Sequence, residues 1–293
     1  MKKSRSVSDK IYKITAFVVL GFFSLSILFL LIWGFINSFK ERSDFVFNMF
    51  SLPEHWYIDA YTKAWKHLSL KRLQLNGSIV QFDMFAMFSN SLLYAVGCTL
   101  IKVYTTCIVA YLCAKYKKFF LAKAVVNIVI ITMLVPIVGS LPSQIIVVDK
   151  LGLFNTVWSL YLFNFSFLGM NFLIFYGSFS SLPDEYSEAA FIDGASHFHV
   201  MLHIMLPLVR STTNVLMLVS FVGYWNDYQT PLVFWNVKPT IAVGLFDYIH
   251  NPLNSSFPEK MAASLITVVP VLALFLIFKD KMMGNMTVGG LKG

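Results

Sequence analysis

Charged residues are scarce in this chain of 293 residues: they make up 13% of it, whereas hydrophobic residues make up 57%. Soluble domains carry about a quarter charged residues, so this composition excludes an ordinary soluble protein and indicates a polytopic membrane protein. The mean hydropathy of +0.68 agrees with that. The net charge of +8 does not indicate nucleic-acid binding, because the basic residues cluster beside apolar segments, where they act as topology signals.

Cysteine is also scarce, and a phosphate-binding loop is missing. The cysteines Cys98, Cys107 and Cys113 lie in one apolar segment without a CxxC spacing, so we interpret them as packing residues and expect neither a disulfide nor a metal site. The sequence has no GxxxxGK[ST] motif, which predicts that the chain does not itself hydrolyse ATP. The first apolar run is longer than the core of a signal peptide and has no small-residue cleavage site, so we interpret it as an uncleaved span.

The sequence contains several long apolar runs. A membrane-spanning helix needs about 20 mostly apolar residues. Six segments qualify: 15–36, 86–113, 121–147, 156–178, 208–233 and 260–278. Lysine and arginine in the short connecting segments favour both termini on the cytoplasmic side of the membrane, N-in and C-in.

The sequence therefore predicts an all-α transmembrane fold with six spans. Its parts are a cytoplasmic tail 1–14, a first transmembrane helix 15–36, an extracytoplasmic loop 37–85, a five-helix transmembrane domain 86–278 with a cytoplasmic loop 179–207, and a cytoplasmic tail 279–293. Pro136 and Pro142 are expected to kink the third span.

The loop 179–207 is polar although it lies between two apolar spans. Ser181 and Asp184 are spaced like a capping box, Gly194 is suited to the left-handed conformation that ends a helix, and a second helix is expected over 196–206. From the residues alone, a hairpin that merely joins two spans and a docking surface for another protein are equally supported.

The spacing of this loop resembles that of a known family. Glu188-Ala189-Ala190, three residues, Gly194, nine residues and Ile204-Met205-Leu206-Pro207 resemble the EAA loop in the membrane subunits of ATP-binding-cassette (ABC) importers. The resemblance extends over roughly 53–293 and is closest to the carbohydrate-uptake permeases of the maltose "G" type. The supporting motifs are Asn90-Ser91, Ala110-Tyr111, Leu151-Gly152-Leu153-Phe154-Asn155-Thr156, Trp225-Asn226-Asp227 with Pro231-Leu232, Met261-Ala262-Ala263-Ser264 with Pro270, and Gly289-Gly290-Leu291-Lys292-Gly293.

This resemblance implies the type I ABC importer permease fold, in which the EAA loop is a cytoplasmic coupling helix. It implies a permease subunit that translocates an oligosaccharide or related carbohydrate across the cytoplasmic membrane by alternating access, and performs no bond chemistry itself. The implied partners are a second homologous permease, two ATPase subunits, an extracytoplasmic solute-binding protein and membrane lipid. No cofactor is expected in this chain, because ATP and Mg would be bound by the ATPase subunits.

The resemblance also implies roles for particular residues. The implied ATPase-coupling residues are Glu188, Ala189, Ala190, Asp193 and Gly194, and the tail residues expected to reach toward the ATPase are Gly289, Gly290, Lys292 and Gly293. The segment from about 235 to 259 is expected to be an ordered, exposed loop that faces the binding protein.

A polar stripe in the second span has two interpretations. Tyr94, Cys98 and Lys102 recur at helical spacing, with Thr105 or Thr106 after them. The stripe either lines a translocation pathway or faces inward and is satisfied by neighbouring helices; the second interpretation is favoured.

The Trp225-Asn226-Asp227 motif has the same two interpretations. Its aromatic ring and polar groups suit a sugar, but a structural role is favoured. All three residues are kept as candidate pathway residues, together with Tyr94 and Lys102.

Two further hypotheses concern different functions. An ion-coupled secondary transporter would need intramembrane ionisable groups, and only Lys102 and Asp227 are candidates. A membrane metalloenzyme would use His197, His199 and His203, but the spacing of two places the first pair on different helix faces, so no metal site is expected.

Overall fold

The computed structural model describes residues 7–74, 76–135, 139–251 and 256–283. They are helical apart from loops and one β-hairpin. The elements before residue 116 are α1 (Val7–Asn37), α2 (Arg42–Phe47), α3 (Asp59–His67), β1 (Leu70–Leu73), β2 (Ile79–Phe82) and α4 (Met84–Lys115). The middle of the chain contains α5 (Phe120–Leu134), α6 (Leu141–Lys150), α7 (Val157–Asn164), α8 (Met170–Ser180) and α9 (Glu185–Ile192). Next come α10 (His197–Val200), a π-helical turn (Met201–Met205), α11 (Leu206–Leu208), α12 (Arg210–Asn226), α13 (Gln229–Phe234), α14 (Ile241–His250) and α15 (Phe257–Met283).

Within the described ranges, three helices are long and apolar enough to cross a membrane. They comprise Lys10–Asn37, Met84–Lys115 and Phe257–Ile277. The pair His197–Leu208 and Arg210–Asn226, bent by 76°, is a fourth candidate if it counts as one broken span. The protein is therefore helical with several candidate spans.

Three of the predicted spans are not single helices. The segment 121–147 contains α5 and α6, and Pro142 lies in the first turn of α6, where a proline is compatible with a helix. The segment 156–178 is interrupted at 165–169 between α7 and α8. The segment 208–233 is divided at Asp227 and Tyr228 between α12 and α13. Pro136 lies outside the described residues.

The segment 37–85 is more structured than a plain loop. It contains α2, α3 and an antiparallel hairpin in which Leu70 pairs with Phe82 and Leu73 with Ile79. The expectation of an exclusively α-helical chain is corrected by this hairpin. Its strands have four residues each, too few for hydrophobic alternation to mark them in the sequence.

The described residues form two compact units, one of residues up to 68 together with 247–267 and the other of residues 69–246 and from 268 onward. In the first unit, the rings of Phe45 and Phe257 stack at 4.5 Å between centroids. Lys40 is 2% exposed, and its ammonium donates to the carbonyl of Asn48 at 2.6 Å. This bond gives the buried cation an acceptor at the end of α2.

In the second unit, α4 packs mainly against α8 and α12. Its buried face includes the three free cysteines, which lie in the core as predicted. A cluster of buried residues surrounds Val103, Phe172 and Phe175, and extends to Ala190 on α9 and Met205 in the π-helical turn. The polar loop after α8 is thus anchored to the same core as the apolar helices.

Candidate functional site

The helix α9 carries the predicted ATPase-coupling residues. Glu188, Ala189, Asp193 and Gly194 are exposed, whereas Ala190 is 8% exposed and belongs to the core cluster. A small side chain at position 190 lets α9 lie close to the rest of the bundle. The other four residues remain on the accessible surface.

Large apolar side chains lie beside these residues. Tyr186 and Ile192 on α9 are 50% and 86% exposed, and Phe198 on α10 is 66% exposed. Apolar side chains grouped on a polar surface are typical of a site of protein–protein contact. The surface formed by Tyr186, Glu188, Ala189, Ile192 and Asp193 is called the α9 surface below.

Lys115, the last residue of α4, holds the first turn of α9 in place. Its ammonium lies 3.4 Å from a carboxylate oxygen of Asp184, donates to the hydroxyl of the fully buried Ser187, and lies 5.9 Å from the ring centre of Phe191. The ion pair alone contributes little at a surface, roughly 0–1 kcal/mol, but the three contacts together fix the orientation of α9.

The sequence interpretation missed this contact. In the sequence, Lys115 is one of the basic residues beside an apolar span that indicate membrane topology, and it lies 69 residues before Asp184. Nothing in the sequence alone indicates a pairing over that distance.

The predicted capping box at Ser181 is wrong. Ser181 instead follows the end of α8, and its hydroxyl donates to the carbonyl of Ser178 at 2.8 Å. The N-cap of α9 is Asp184, whose side chain makes no capping hydrogen bond with the described residues. The carboxylate of Asp184 instead faces the ammonium of Lys115.

Both predicted helices and the glycine between them are present. Gly194 has φ +82°, the amide of Ala195 donates to the carbonyl of Ala190 at 2.9 Å, and the amide of Gly194 donates to that of Phe191 at 3.0 Å. This is the Schellman arrangement that ends a helix. Ser196 then caps α10 by accepting a hydrogen bond from the amide of His199 at 3.3 Å.

The three histidines make other contacts. His197 lies 3.1 Å from the hydroxyl of Tyr116 through its Nδ1, and the rings of His199 and His203 stack at 4.3 Å between centroids. In the described ranges, no group of three His, Cys, Asp or Glu side chains is arranged to hold a metal ion.

The polar stripe of α4 faces α7 and the interruption that follows it before α8. Cys98 lies 3.8 Å from the carbonyl of Leu160 through its sulfur, and Lys102 donates to the carbonyl of Leu168 at 2.9 Å. Thr106 donates to that of Ser166 at 3.5 Å. Backbone groups inside a membrane need such partners where a helix is interrupted.

Two further pathway candidates, Tyr94 on α4 and Asp227 after α12, are joined directly. Tyr94 is 1% exposed, and its hydroxyl donates to a carboxylate oxygen of Asp227 at 2.7 Å. The other carboxylate oxygen accepts from the amide of Thr230 at 3.1 Å, in the first turn of α13. Asp227 therefore connects α4 to the beginning of α13.

The other residues of this motif are placed differently. Trp225 is 3% exposed, with its ring 5.7 Å from that of Phe88 and 5.6 Å from that of Phe221. Asn226 is exposed and donates to the carbonyl of Val222 in its own helix at 2.9 Å. This geometry agrees with the favoured structural interpretation of Trp225 and Asp227.

Two predicted regions lie partly or wholly outside the described residues. The tail residues Gly289, Gly290, Lys292 and Gly293 lie outside the described residues. In the segment 235–259, which was expected to be an ordered, exposed loop, residues 241–250 instead form the helix α14. Residues 252–255 are not described.

The comparisons with known proteins agree on one family. The model of the family "Binding-protein-dependent transport system inner membrane component" matches residues 107–280, more than half of the chain. A diacetylchitobiose uptake system permease protein of Streptomyces coelicolor is 24% identical, with 99% of this chain and 92% of the relative aligned. A maltodextrin transport system permease protein of Bacillus subtilis is 26% identical over 98% of this chain and 99% of its own length.

The fold is similar to that of a solved structure. A chain from the crystal structure of a bacterial ABC transporter involved in the import of the acidic polysaccharide alginate matches with a TM-score of 0.76. The match covers 95% of this chain and 99% of that chain, at 20% sequence identity. At this identity, the likeness concerns the fold.

Proposed function

This chain belongs to the family of binding-protein-dependent transport system inner membrane components, and we propose that it is the permease subunit of an ATP-driven importer for an oligosaccharide or related carbohydrate. It is a transport subunit, not an enzyme. The single observation that carries the proposal is the EAA sequence on α9, which exposes Glu188 and Ala189, buries Ala190 and is held at the end of α4 by Lys115. The named sugar-uptake roles of two full-length relatives support the substrate class.

In the proposed membrane arrangement, six spans cross the cytoplasmic membrane with both termini in the cytoplasm. α1, α4 and α15 are three of them. We assign the others to the helix pairs α5 with α6, α7 with α8, and α12 with α13. Basic residues near Lys115 and α9 support the cytoplasmic placement of that end.

The α9 surface is proposed to be the coupling element. It would dock on an ATPase subunit, so that closure of an ATPase pair moves α9 together with the end of α4 and switches the permease between inward- and outward-facing states. The contact residues would be Glu188, Ala189, Asp193 and Gly194, with Ala190 as the internal anchor. The tail residues 289–293 are proposed to reach the same ATPase.

The proposed assembly contains two ATPase subunits, a second homologous permease and an extracytoplasmic solute-binding protein. ATP and Mg would be bound by the ATPase subunits and no cofactor by this chain. α14 and the following segment are proposed to face the binding protein.

The translocation pathway is proposed to pass the interruption between α7 and α8. Broken helices at membrane depth are tolerated where they are buried in protein or line a cavity. Lys102, which donates to Leu168 in this interruption, is the first candidate for a pathway residue. Tyr94, Trp225, Asn226 and Asp227 remain candidates of second rank, because their contacts are those of structural residues.

Co-purification of the tagged chain with its candidate ATPase tests this function. We expect the ATPase to co-purify with the wild-type chain and to be lost with Glu188→Arg, which reverses the charge at position 188 on the α9 surface. Gly194→Trp should also lose it, because its φ of +82° is strained for any residue with a β-carbon. ATPase activity stimulated by the binding protein should fall in parallel.

Two matched variants control for general damage. Asp149→Arg reverses an exposed charge at the end of α6, away from α9, and should retain the ATPase. Gly194→Asn places a residue that tolerates a left-handed backbone at the elbow, and should retain much more of it than Gly194→Trp. If the wild-type chain purifies alone and moves solute in liposomes without an ATPase, the proposal fails in favour of a secondary transporter.

A further inference from the structure

An apolar groove lies between the end of α4 and the beginning of α5. It has a volume of about 390 Å³, and its lining residues include Leu112, Cys113, Tyr116, Phe119, Leu121 and Ala122. This volume falls in the range of about 300–1,000 Å³ that is typical of ligand sites. Leu112, Phe119 and Leu121 are 44%, 66% and 75% exposed, so the groove is open along one side.

Two lysines bracket the residues that line this groove. Lys118 and Lys123 stand on either side of the segment 119–122, one in the turn before α5 and one in its first turn. Both are exposed, and in the part of the chain that the structure describes neither is in an ion pair. Neither lysine lines the groove, but each directly adjoins a lining residue along the chain, so two exposed cations without an ion pair lie next to the apolar lining.

The acids nearby belong to another face. Asp184 and Glu185 line a separate polar cavity together with Lys115 and Lys117, and Asp184 pairs with Lys115. Lys117 is therefore not counted in the basic rim. Lys118 and Lys123 do not line that cavity.

This combination fits an acidic phospholipid better than another protein helix. Interfaces between transmembrane helices are enriched in small residues that allow close approach, whereas the open side of this groove presents Leu112, Phe119 and Leu121. Basic groups beside an apolar groove at the membrane surface bind acidic lipid headgroups. We propose that the groove holds one acyl chain of an acidic phospholipid, with its phosphate between Lys118 and Lys123.

The site lies at the same end of α4 as the contact with α9. Tyr116, which lines the groove, is the residue after α4, and Lys115 beside it contacts Asp184 and Ser187. A bound lipid would therefore stiffen the turn that supports α9. The proposal does not depend on the identity of the transported solute or on the ATPase.

Native mass spectrometry of the delipidated chain tests the proposal. The chain is titrated with phosphatidylglycerol or with phosphatidylcholine of the same acyl chains, and the one-lipid adduct is quantified. We expect the wild type to prefer phosphatidylglycerol, and Lys118→Ser/Lys123→Ser to lose roughly an order of magnitude in apparent affinity for it. Phe119→Ala/Leu121→Ala should weaken retention of both lipids, because it removes apolar lining without changing charge.

A matched pair of lysines provides the control. Lys63→Ser/Lys66→Ser removes the same charge from exposed positions on α3, and should retain the wild-type preference. Circular dichroism of all variants checks that they are folded. The proposal is overturned if the wild type shows no preference, if the control variant loses as much as the Lys118/Lys123 variant, or if a co-expressed second permease displaces the lipid completely.

Discussion

Gly97 allows a tyrosine to lie directly against α4. The hydroxyl of Tyr161, on α7, donates to the carbonyl of Leu93 at 2.8 Å. A Cβ atom at position 97 would collide with the hydroxyl and ring atoms of Tyr161. Any residue larger than glycine must therefore displace the ring and stretch or break this bond, in a region where lost backbone partners are costly.

Gly97→Ala should therefore lower the free energy of unfolding by about 1–3 kcal/mol, as overpacked substitutions do. Denaturant unfolding in detergent micelles measures this. Gly223→Ala is the matched control, because Gly223 is also helical and a Cβ there meets nothing within 4 Å. Adding Tyr161→Leu should restore part of the loss. Equal losses at both glycines would contradict the packing argument.

At the scale of single residues, the sequence predicts roles that depend only on near neighbours along the chain. Gly194 was identified as the end of a helix because a left-handed turn depends on a residue and its near neighbours. Ser181 was misassigned because the serine also suits the end of the preceding helix. The contact of Lys115 with Asp184 could not be predicted, since it joins positions brought together only by packing.

At the scale of secondary-structure elements, the main feature is the interruption between α7 and α8. Gly169 has φ +113° and precedes α8, and the amide of Leu168 donates to the hydroxyl of Ser166 at 3.3 Å. Asn164 donates to the carbonyl of Leu160 at 2.8 Å and accepts from Tyr224. The carbonyls of Ser166 and Leu168 thus accept from Thr106 and Lys102 of α4, and Tyr224 of α12 donates to the side chain of Asn164 at the end of α7.

Lys102→Met tests whether this cation positions the interruption. A charged lysine near the centre of a span costs about 2.5–3.5 kcal/mol, whereas leaving the Leu168 carbonyl without a donor costs about 1–3 kcal/mol. We therefore expect unfolding stability close to or above that of the wild type. Amide hydrogen exchange over 165–170 should nevertheless become faster, because the segment has lost its tether.

Lys102→Arg keeps a cationic donor and should restore slow exchange over 165–170. If Lys102 acted only by filling space, Lys102→Met and Lys102→Arg would show the same amide hydrogen exchange over 165–170. Unchanged exchange in Lys102→Met would contradict a positioning role for Lys102.

Element boundaries were the part of the fold that the sequence predicted least well. Apolar runs identify which segments are apolar, but 156–178 is equally apolar before and after its interruption at 165–169. The segment that contains α14 was expected to be an exposed loop, yet Ile241 and Val243 are each 1% exposed and face the interior. A hydrophobic pattern does not show which carbonyls other helices can satisfy.

At the scale of the whole molecule, an apolar helical bundle carries the polar helix α9. Family membership and helical architecture can be predicted from the composition and from the spacing around Glu188, because both signals are spread over many residues. Within the second unit, α4 runs from Tyr94, which contacts Asp227, past Lys102 at the interruption, to Lys115 beneath α9. One rigid helix therefore connects the candidate pathway with the coupling surface.

The central claim is that α9 touches an ATPase subunit, and photo-crosslinking tests it most directly. A photoreactive amino acid is placed at Ala189, on the α9 surface, and at Trp158 as a control, which is 65% exposed at the beginning of α7. The chain is co-expressed with the candidate ATPase and irradiated in membranes. The account predicts a crosslink to the ATPase from position 189, changed in yield by ATP, and none from position 158. An equal yield from both positions, or a complex that co-purifies intact but gives no crosslink from position 189, would contradict it.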